Sequence, residues 1–151
     1  MKIKRRAERA VRKAFGAAVA GEADRLSAAV AEISGRGDEF DRQARHLVFE
    51  IGSATLFSIH HGDRPTDQQL RLLTKDYVNH EAWAGINEGT VRGYLKALAD
   101  EIELNESLAV ANPMFAACAI GGWLLSAFIP DEVRWTDFLD GILAKLEARH
   151  P

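Results

Sequence analysis

The stretch MFAACAIGGWLLSAFI, Met114 to Ile129, decides how the rest of the chain is read. Only Gly121, Gly122 and Ser126 interrupt its apolar side chains, and a helix that is apolar on all sides belongs at the centre of a fold. At ~1.5 Å per residue it reaches about 24 Å, short of the ~30 Å hydrocarbon core of a bilayer, so a buried core helix is the better reading than a membrane span. Ala116, Ala117, Ala119, Gly121 and Gly122 would let neighbouring helices approach closely, with Phe115, Trp123 and Phe128 filling the spaces between them. Cys118 is the chain's one cysteine. It can form no internal disulfide or thiolate zinc site, it reads as a buried small apolar group, and its solitude fits a reducing compartment such as the cytoplasm.

Working outward, the flanking segments repeat apolar residues at helical spacing. Phe40, Ala44, Leu47, Val48, Ile51 and Thr55 form one stripe, Leu70, Leu73 and Tyr77 a second, Val91, Tyr94, Leu95, Leu98 and Ile102 a third, and Trp135, Phe138, Leu139, Ile142 and Leu146 a fourth. No alternation with a period of two is sustained long enough for a sheet. Gly35 and Gly37 break the first helical region and Asp38 is placed to cap the next; Thr66 and Gln69 have capping-box spacing; Asn112 precedes Pro113 as a cap precedes a first-turn proline. Pro130 stops the apolar helix and Asp131 opens the last one. The expected helices are residues 3–34 with a break near Gly21, 39–60, 66–80, 88–104, 113–129 and 131–149. The fold class is therefore all-α: a compact bundle of six or seven helices around a central apolar helix, one domain over residues 1–151. At this size folding buries roughly 70% of the unfolded chain's surface, enough for one sizeable core.

Charge is sorted along the chain. The first thirteen residues hold Lys2, Lys4, Arg5, Arg6, Arg9, Arg12 and Lys13 against Glu8 alone, a local +6 in a chain whose total is −3, so the remainder carries −9. Such a split gives the basic arm, residues 1–20, an electrostatic task. As a helix it would carry a weak, alanine-rich stripe of Ile3, Ala7, Ala10, Val11, Ala14, Phe15 and Ala18 with the cations opposite. Three roles are open to it: lying on an anionic membrane surface, meeting nucleic acid, or packing on the acidic body. Nucleic acid is disfavoured, because the acidic remainder repels phosphates and no aromatic side chain is interleaved for stacking. A secretory signal is excluded as the better reading too, since Ala14 to Ala20 is short and lacks Leu, Ile or Phe density.

Motifs that carry chemistry are scarce. The sequence shows no phosphate-binding glycine loop, zinc-protease helix or nucleophile elbow. His46 with Glu50 and Asp76 with His80 are spaced to share helix faces, which reads as surface pairing before metal binding. His60, His61 and Asp63 form the best loop constellation, although histidines in a last helical turn followed by Gly62 also describe an ordinary helix end. Asp100, Glu101, Glu103 and Glu106 lack the oxygen-ligand pattern of a calcium loop and read as a solvated acidic face. No metal site and no cofactor is expected.

The order of elements resembles that of the tellurite-resistance TerB-like proteins, helical domains with a basic leading helix and two pseudo-repeated halves. Phe40 to His60 corresponds to that family's long helix, His61 and Gly62 stand at its Asp-Gly pair, Thr66 and Gln68 at its cap and Glu, and Tyr94 to Leu104 followed by Cys118 to Gly122 is similar to its second half. The resemblance spans residues 40–125. It implies a shared helical fold and a stress-related role, but not metal binding, because His61 and Gln68 in the first half and Leu124 and Leu125 in the second replace the family's carboxylates.

These observations lead to one functional expectation, a non-catalytic helical interaction or adaptor module, with a protein partner, a second copy of the chain or an anionic membrane surface as what the arm meets. Two alternatives remain. One is a small-ligand bundle with an apolar pocket lined by Trp83, Trp123 and Trp135. The other is an enzyme whose site surrounds the His60–His61–Asp63 loop.

Overall fold

The computed structural model describes residues 2–103 and 112–149. Within them the chain forms α1 (Arg5–Ala20), α2 (Ala23–Ser34), α3 (Asp38–Ile59), α4 (Asp67–His80), α5 (Glu88–Asp100), α6 (Pro113–Ala127) and α7 (Trp135–Arg149), with a 3-10 turn at Ala82–Ala84 between α4 and α5 and no strand. The expected all-α bundle is what forms.

The apolar stretch is the centre of that bundle. In α6 every residue from Ala116 to Leu125 is buried, and the helix packs chiefly against α1 and α3 while also touching α2, α5 and α7. Its glycines set how closely α1 can come: a Cβ on Gly121 would stand 2.7 Å from Cε1 of Phe15, and one on Gly122 would stand 2.7 Å from Cβ of Ala18. Any side chain there would have to push α1 away. Phe15 and Ala18 are in turn fully enclosed, so the two helices interlock as knob and notch. Among the described residues no helix is long and apolar enough to cross a membrane.

The outer helices bury the stripes that their periodicity defines. Ala7, Val11, Ala14, Phe15 and Ala18 lie under α1, Ala44, Leu47, Val48, Ile51 and Thr55 under α3, and Leu139, Ile142 and Leu146 under α7. At Gly21 the backbone turns left-handed (φ 70°), its N–H bonds the Ala18 carbonyl at 3.0 Å, and the chain reverses into α2. The break expected there divides one helical region into an α1–α2 hairpin. Thr66 Oγ1 accepts from the Gln69 N–H at 3.1 Å while Gln69 Oε1 accepts from the Thr66 N–H at 2.8 Å, a complete capping box. Asn87 and Asn112 cap α5 and α6 by accepting from the N–H groups of Thr90 (2.8 Å) and Phe115 (3.1 Å), each such bond contributing about 1 kcal/mol.

Helix α1 begins at Arg5 and α6 ends at Ala127, each two residues inside its expected bound, and three further boundaries differ for reasons the backbone shows. Gly37, at φ 108°, is the residue before α3, and Asp38 is already helical; with Glu39 and Asp41 it places negative charge at the positive end of the helix and forms no side-chain cap. Helix α5 stops at Asp100, because Glu101 adopts a left-handed conformation (φ 55°) and Ile102 bonds back to the Ala97 carbonyl at 3.1 Å. Ile102 therefore leaves the stripe and is 54% exposed, while Leu104 lies outside the described residues. Helix α7 begins at Trp135 and not at Asp131: the Val133 N–H closes a turn on the Pro130 carbonyl at 3.0 Å, and the helix starts where Asp137 and Phe138 bond the Arg134 carbonyl.

Candidate functional site

The seven cations of the arm fall into two sets once α1 is docked. Helical spacing puts Arg5 one heptad before Arg12 and Arg6 one heptad before Lys13. The second half of the helix is neutralised. Arg12 donates from Nε to Glu8 Oε2 at 3.1 Å and from Nη2 to Asp140 of α7, and Lys13 Nζ reaches Glu32 Oε2 of α2 at 2.9 Å. Lys2 and Lys4, just before the helix, and Arg5, Arg6 and Arg9, in its first half, are exposed and have no ion pair among the described residues. The apolar stripe of α1 is buried in the core, so the stretch of backbone that carries Arg5, Arg6 and Arg9 is held against the bundle.

A groove of about 310 Å³ runs between α1 and the end of α2, lined by Arg6, Arg9, Ala10, Lys13, Glu32 and Arg36. Glu32 stands in it as the single anion. Lys13 holds one of its carboxylate oxygens and Arg36 Nη2 holds the other at 3.0 Å, and the two cations, Lys13 foremost, keep its carboxyl below the ordinary carboxylate range. The Arg36 guanidinium also lies over the Phe40 ring, 4.9 Å from its centroid. Arg6 and Arg36 continue into an adjoining depression that Glu39, Phe40 and Gln43 complete. The sequence reading missed Glu32 and Arg36, because they join the arm's cations through the antiparallel α1–α2 hairpin. The one signal for it was the break at Gly21, which folds residues after the hinge back onto those before it.

The three tryptophans have separate neighbours. Trp83, half-buried, faces Gly21 and meets Phe115 edge-on with centroids 6.4 Å apart. Trp123, buried in α6, stands nearly perpendicular to Tyr77 (5.3 Å) and to Phe128 (5.1 Å). Trp135, half-buried, covers Gly16 of α1, where a Cβ would lie 3.7 Å from the ring. No two of the three are in ring contact among the described residues. Burial, followed by the charge of Glu81, raises the Tyr77 hydroxyl well above its ordinary pKa, so it stays protonated beside Trp123.

The histidine loop serves the end of α3. His60 Nδ1 lies 2.8 Å from the Leu56 carbonyl, which requires a proton on that nitrogen, and Gly62 (φ 89°) returns its N–H to the Phe57 carbonyl at 2.8 Å. His61 takes a left-handed conformation (φ 58°) and borders a groove of about 420 Å³ with Ser58, Glu101, Lys145 and Arg149; neither His60 nor Asp63 lines it. The two remaining described histidines are paired with acids. His46 Nδ1 lies 2.6 Å from Glu103 and its Nε2 4.0 Å from Glu50, while His80 Nδ1 lies 2.8 Å from both the carbonyl and the carboxylate of Asp76. The Asp76 carbonyl first, then its carboxylate, raises the His80 pKa. In the acidic stretch, Asp100 accepts from Arg64 Nε and Nη2 at 3.0 and 2.7 Å, and Glu103 holds His46, so these two carboxylates tie the end of α5 to its surroundings. Glu106 lies outside the described residues. Among the described residues no group of three or more His, Cys, Asp or Glu could hold a metal ion. Burial pushes the Cys118 thiol up to about 12, which keeps it protonated at neutral pH and poor as a nucleophile.

Compared with known proteins, the chain matches no family model, no curated protein and no solved structure.

Proposed function

We propose that the chain is a non-catalytic interaction module that meets an anionic partner surface through the first half of α1. One observation carries this reading: among the described residues five cations, Lys2 and Lys4 just before α1 and Arg5, Arg6 and Arg9 on it, stay without acidic partners, while the apolar face of that helix is already spent in the core. Packing alone does not call for them, since the buried stripe and the ion pairs of Arg12 and Lys13 hold α1 in place. Because that stripe is unavailable for insertion into lipid, contact would be electrostatic and reversible. On an anionic leaflet each cation would contribute about 1 kcal/mol, and the attraction would weaken with salt. An acidic protein face offers the same fixed negative charge. The stress-related role implied by the TerB-like resemblance is part of this proposal.

The test is retention on polyglutamate resin and co-sedimentation with vesicles containing phosphatidylglycerol, both across a salt series. Wild type is expected to bind at least one of them at low salt, with affinity falling as salt rises, and the combined Arg5→Glu, Arg6→Glu and Arg9→Glu variant to lose that binding while keeping its helical circular dichroism. Wild type binding neither, or the variant binding as well as wild type, would overturn the reading.

A further inference from the structure

We infer that the groove between α1 and the end of α2 binds a phosphate group, with Glu32 acting as an internal counter-ion that the ligand displaces. The inference rests on the proposed anionic contact of α1 and narrows it from a charged face to one site and one chemistry. Four cations, Arg6, Arg9, Lys13 and Arg36, line the groove around a single carboxylate. Local charge is therefore unbalanced by three positive units, and folding brings like charges together there without a core contact that demands it. Two of the four are prepositioned: Lys13 and Arg36 grip opposite oxygens of Glu32 at 2.9 and 3.0 Å, and Arg36 is further steadied over Phe40. The other two, Arg6 and Arg9, are exposed and have no acidic partner among the described residues, which leaves their guanidiniums available to a second anion.

The donor set selects the ligand. Three guanidiniums present paired N–H groups that match phosphate oxygens in a bidentate manner, whereas a carboxylate offers just two oxygens for four cations. Glu32 occupies the position that one phosphate edge would take and satisfies Lys13 and Arg36 in its absence. At about 310 Å³ the groove has room for a phosphate group beside the existing side chains. The phosphate can come from a soluble polyphosphate or from a lipid phosphomonoester, and the two sources share this recognition chemistry.

The test titrates sodium tripolyphosphate into the full chain by calorimetry at low salt, and in parallel measures co-sedimentation with vesicles bearing phosphatidic acid. Three exposed-site variants are compared. Removing the internal anion with Glu32→Gln is expected to tighten binding about fivefold, the effect of one unit charge a few ångströms away in water. Arg36→Gln, inside the groove, is expected to weaken it at least fivefold. Arg71→Gln removes the same charge from the exposed face of α4, outside the groove and away from the basic arm, and is expected to cost less than twofold. This pattern in either arm supports the site, and the arm that shows it identifies the source of the phosphate. Unchanged or weaker binding by Glu32→Gln in both arms would sink the inference. So would equal losses for Arg71→Gln and Arg36→Gln, which would mean diffuse attraction with no defined site; retention on polyglutamate that the Arg5→Glu, Arg6→Glu and Arg9→Glu variant loses would then leave the proposed anionic contact of α1 standing. If wild type binds neither probe and also fails the polyglutamate and phosphatidylglycerol assays, both readings fall together.

Discussion

Helices α1 and α6 press against each other more intimately than most pairs in this molecule, yet their sequences constrain them in opposite ways. Helix α6 is apolar around its whole circumference and has one place to go, the interior. Helix α1 has an alanine-rich stripe and a ring of cations, a composition that suits a membrane surface, a polyanion or a neighbouring helix equally well. What separates these outcomes is shape. Gly121 and Gly122 cut a notch in α6 that Phe15 and Ala18 fill, so the weak stripe of α1 gains in close packing what it lacks in large side chains. The charges opposite are then left on the outside by default, and their availability is a consequence of the packing beneath them.

The strongest way to break this pairing is to remove the knob. Phe15→Ala should lower stability by about 3–5 kcal/mol, read from the urea midpoint, because the enclosed ring leaves a cavity against α6. A loss no larger than that of an exposed substitution such as Arg9→Ala, within about 0.5 kcal/mol, would mean that α1 is not docked as described. Filling the notch sharpens the comparison from the other side. In an open helix Gly122→Ala would stabilise by up to ~1 kcal/mol through helix propensity. Here the new Cβ would meet Ala18 Cβ at 2.7 Å, with the Phe15 carbonyl 3.4 Å away, so overpacking should win by about 1–3 kcal/mol and the midpoint should fall. A rise would refute the close approach.

The smallest effect concerns the charged side of α1. Lys13 and Arg36 depress the Glu32 carboxyl below its ordinary 4.5. A depressed acid contributes stability that is present above the unfolded value and fades as pH falls through the folded one, so the contribution belongs to neutral pH and disappears in acid below about 4.5. Glu32→Gln should therefore show a shallower fall of the urea midpoint between pH 6 and pH 3 than wild type. The difference will be slight, because the Glu32 side chain is exposed and its ion pairs are screened by water and salt. Identical pH profiles would show that the Lys13–Glu32–Arg36 cluster is not formed in solution.

Much of the fold was legible residue by residue. Apolar periodicity marked the buried faces of α1, α3, α5 and α7, and the caps at Thr66 and Asn112 followed from local side-chain chemistry. The ends that were misplaced are those set by backbone conformation. Nothing in the residue types required Glu101 to turn left-handed, or the four residues from Asp131 to Arg134 to stay out of α7. The candidate site was half legible. Its cations on α1 stood out as a cluster, but Glu32 and Arg36 lie beyond a hinge, and their place beside Arg6 and Arg9 depends on the angle at which the α1–α2 hairpin closes.

By itself, then, the sequence determined that a wholly apolar helix must be enclosed by two-faced ones, because water penalises any arrangement that leaves it exposed. It also determined which faces those helices turn inward. The tertiary structure decided which of the arm's cations keep an acid and which do not, since ion pairing needs two side chains within about 4 Å and that distance is a property of helix packing, invisible along the chain.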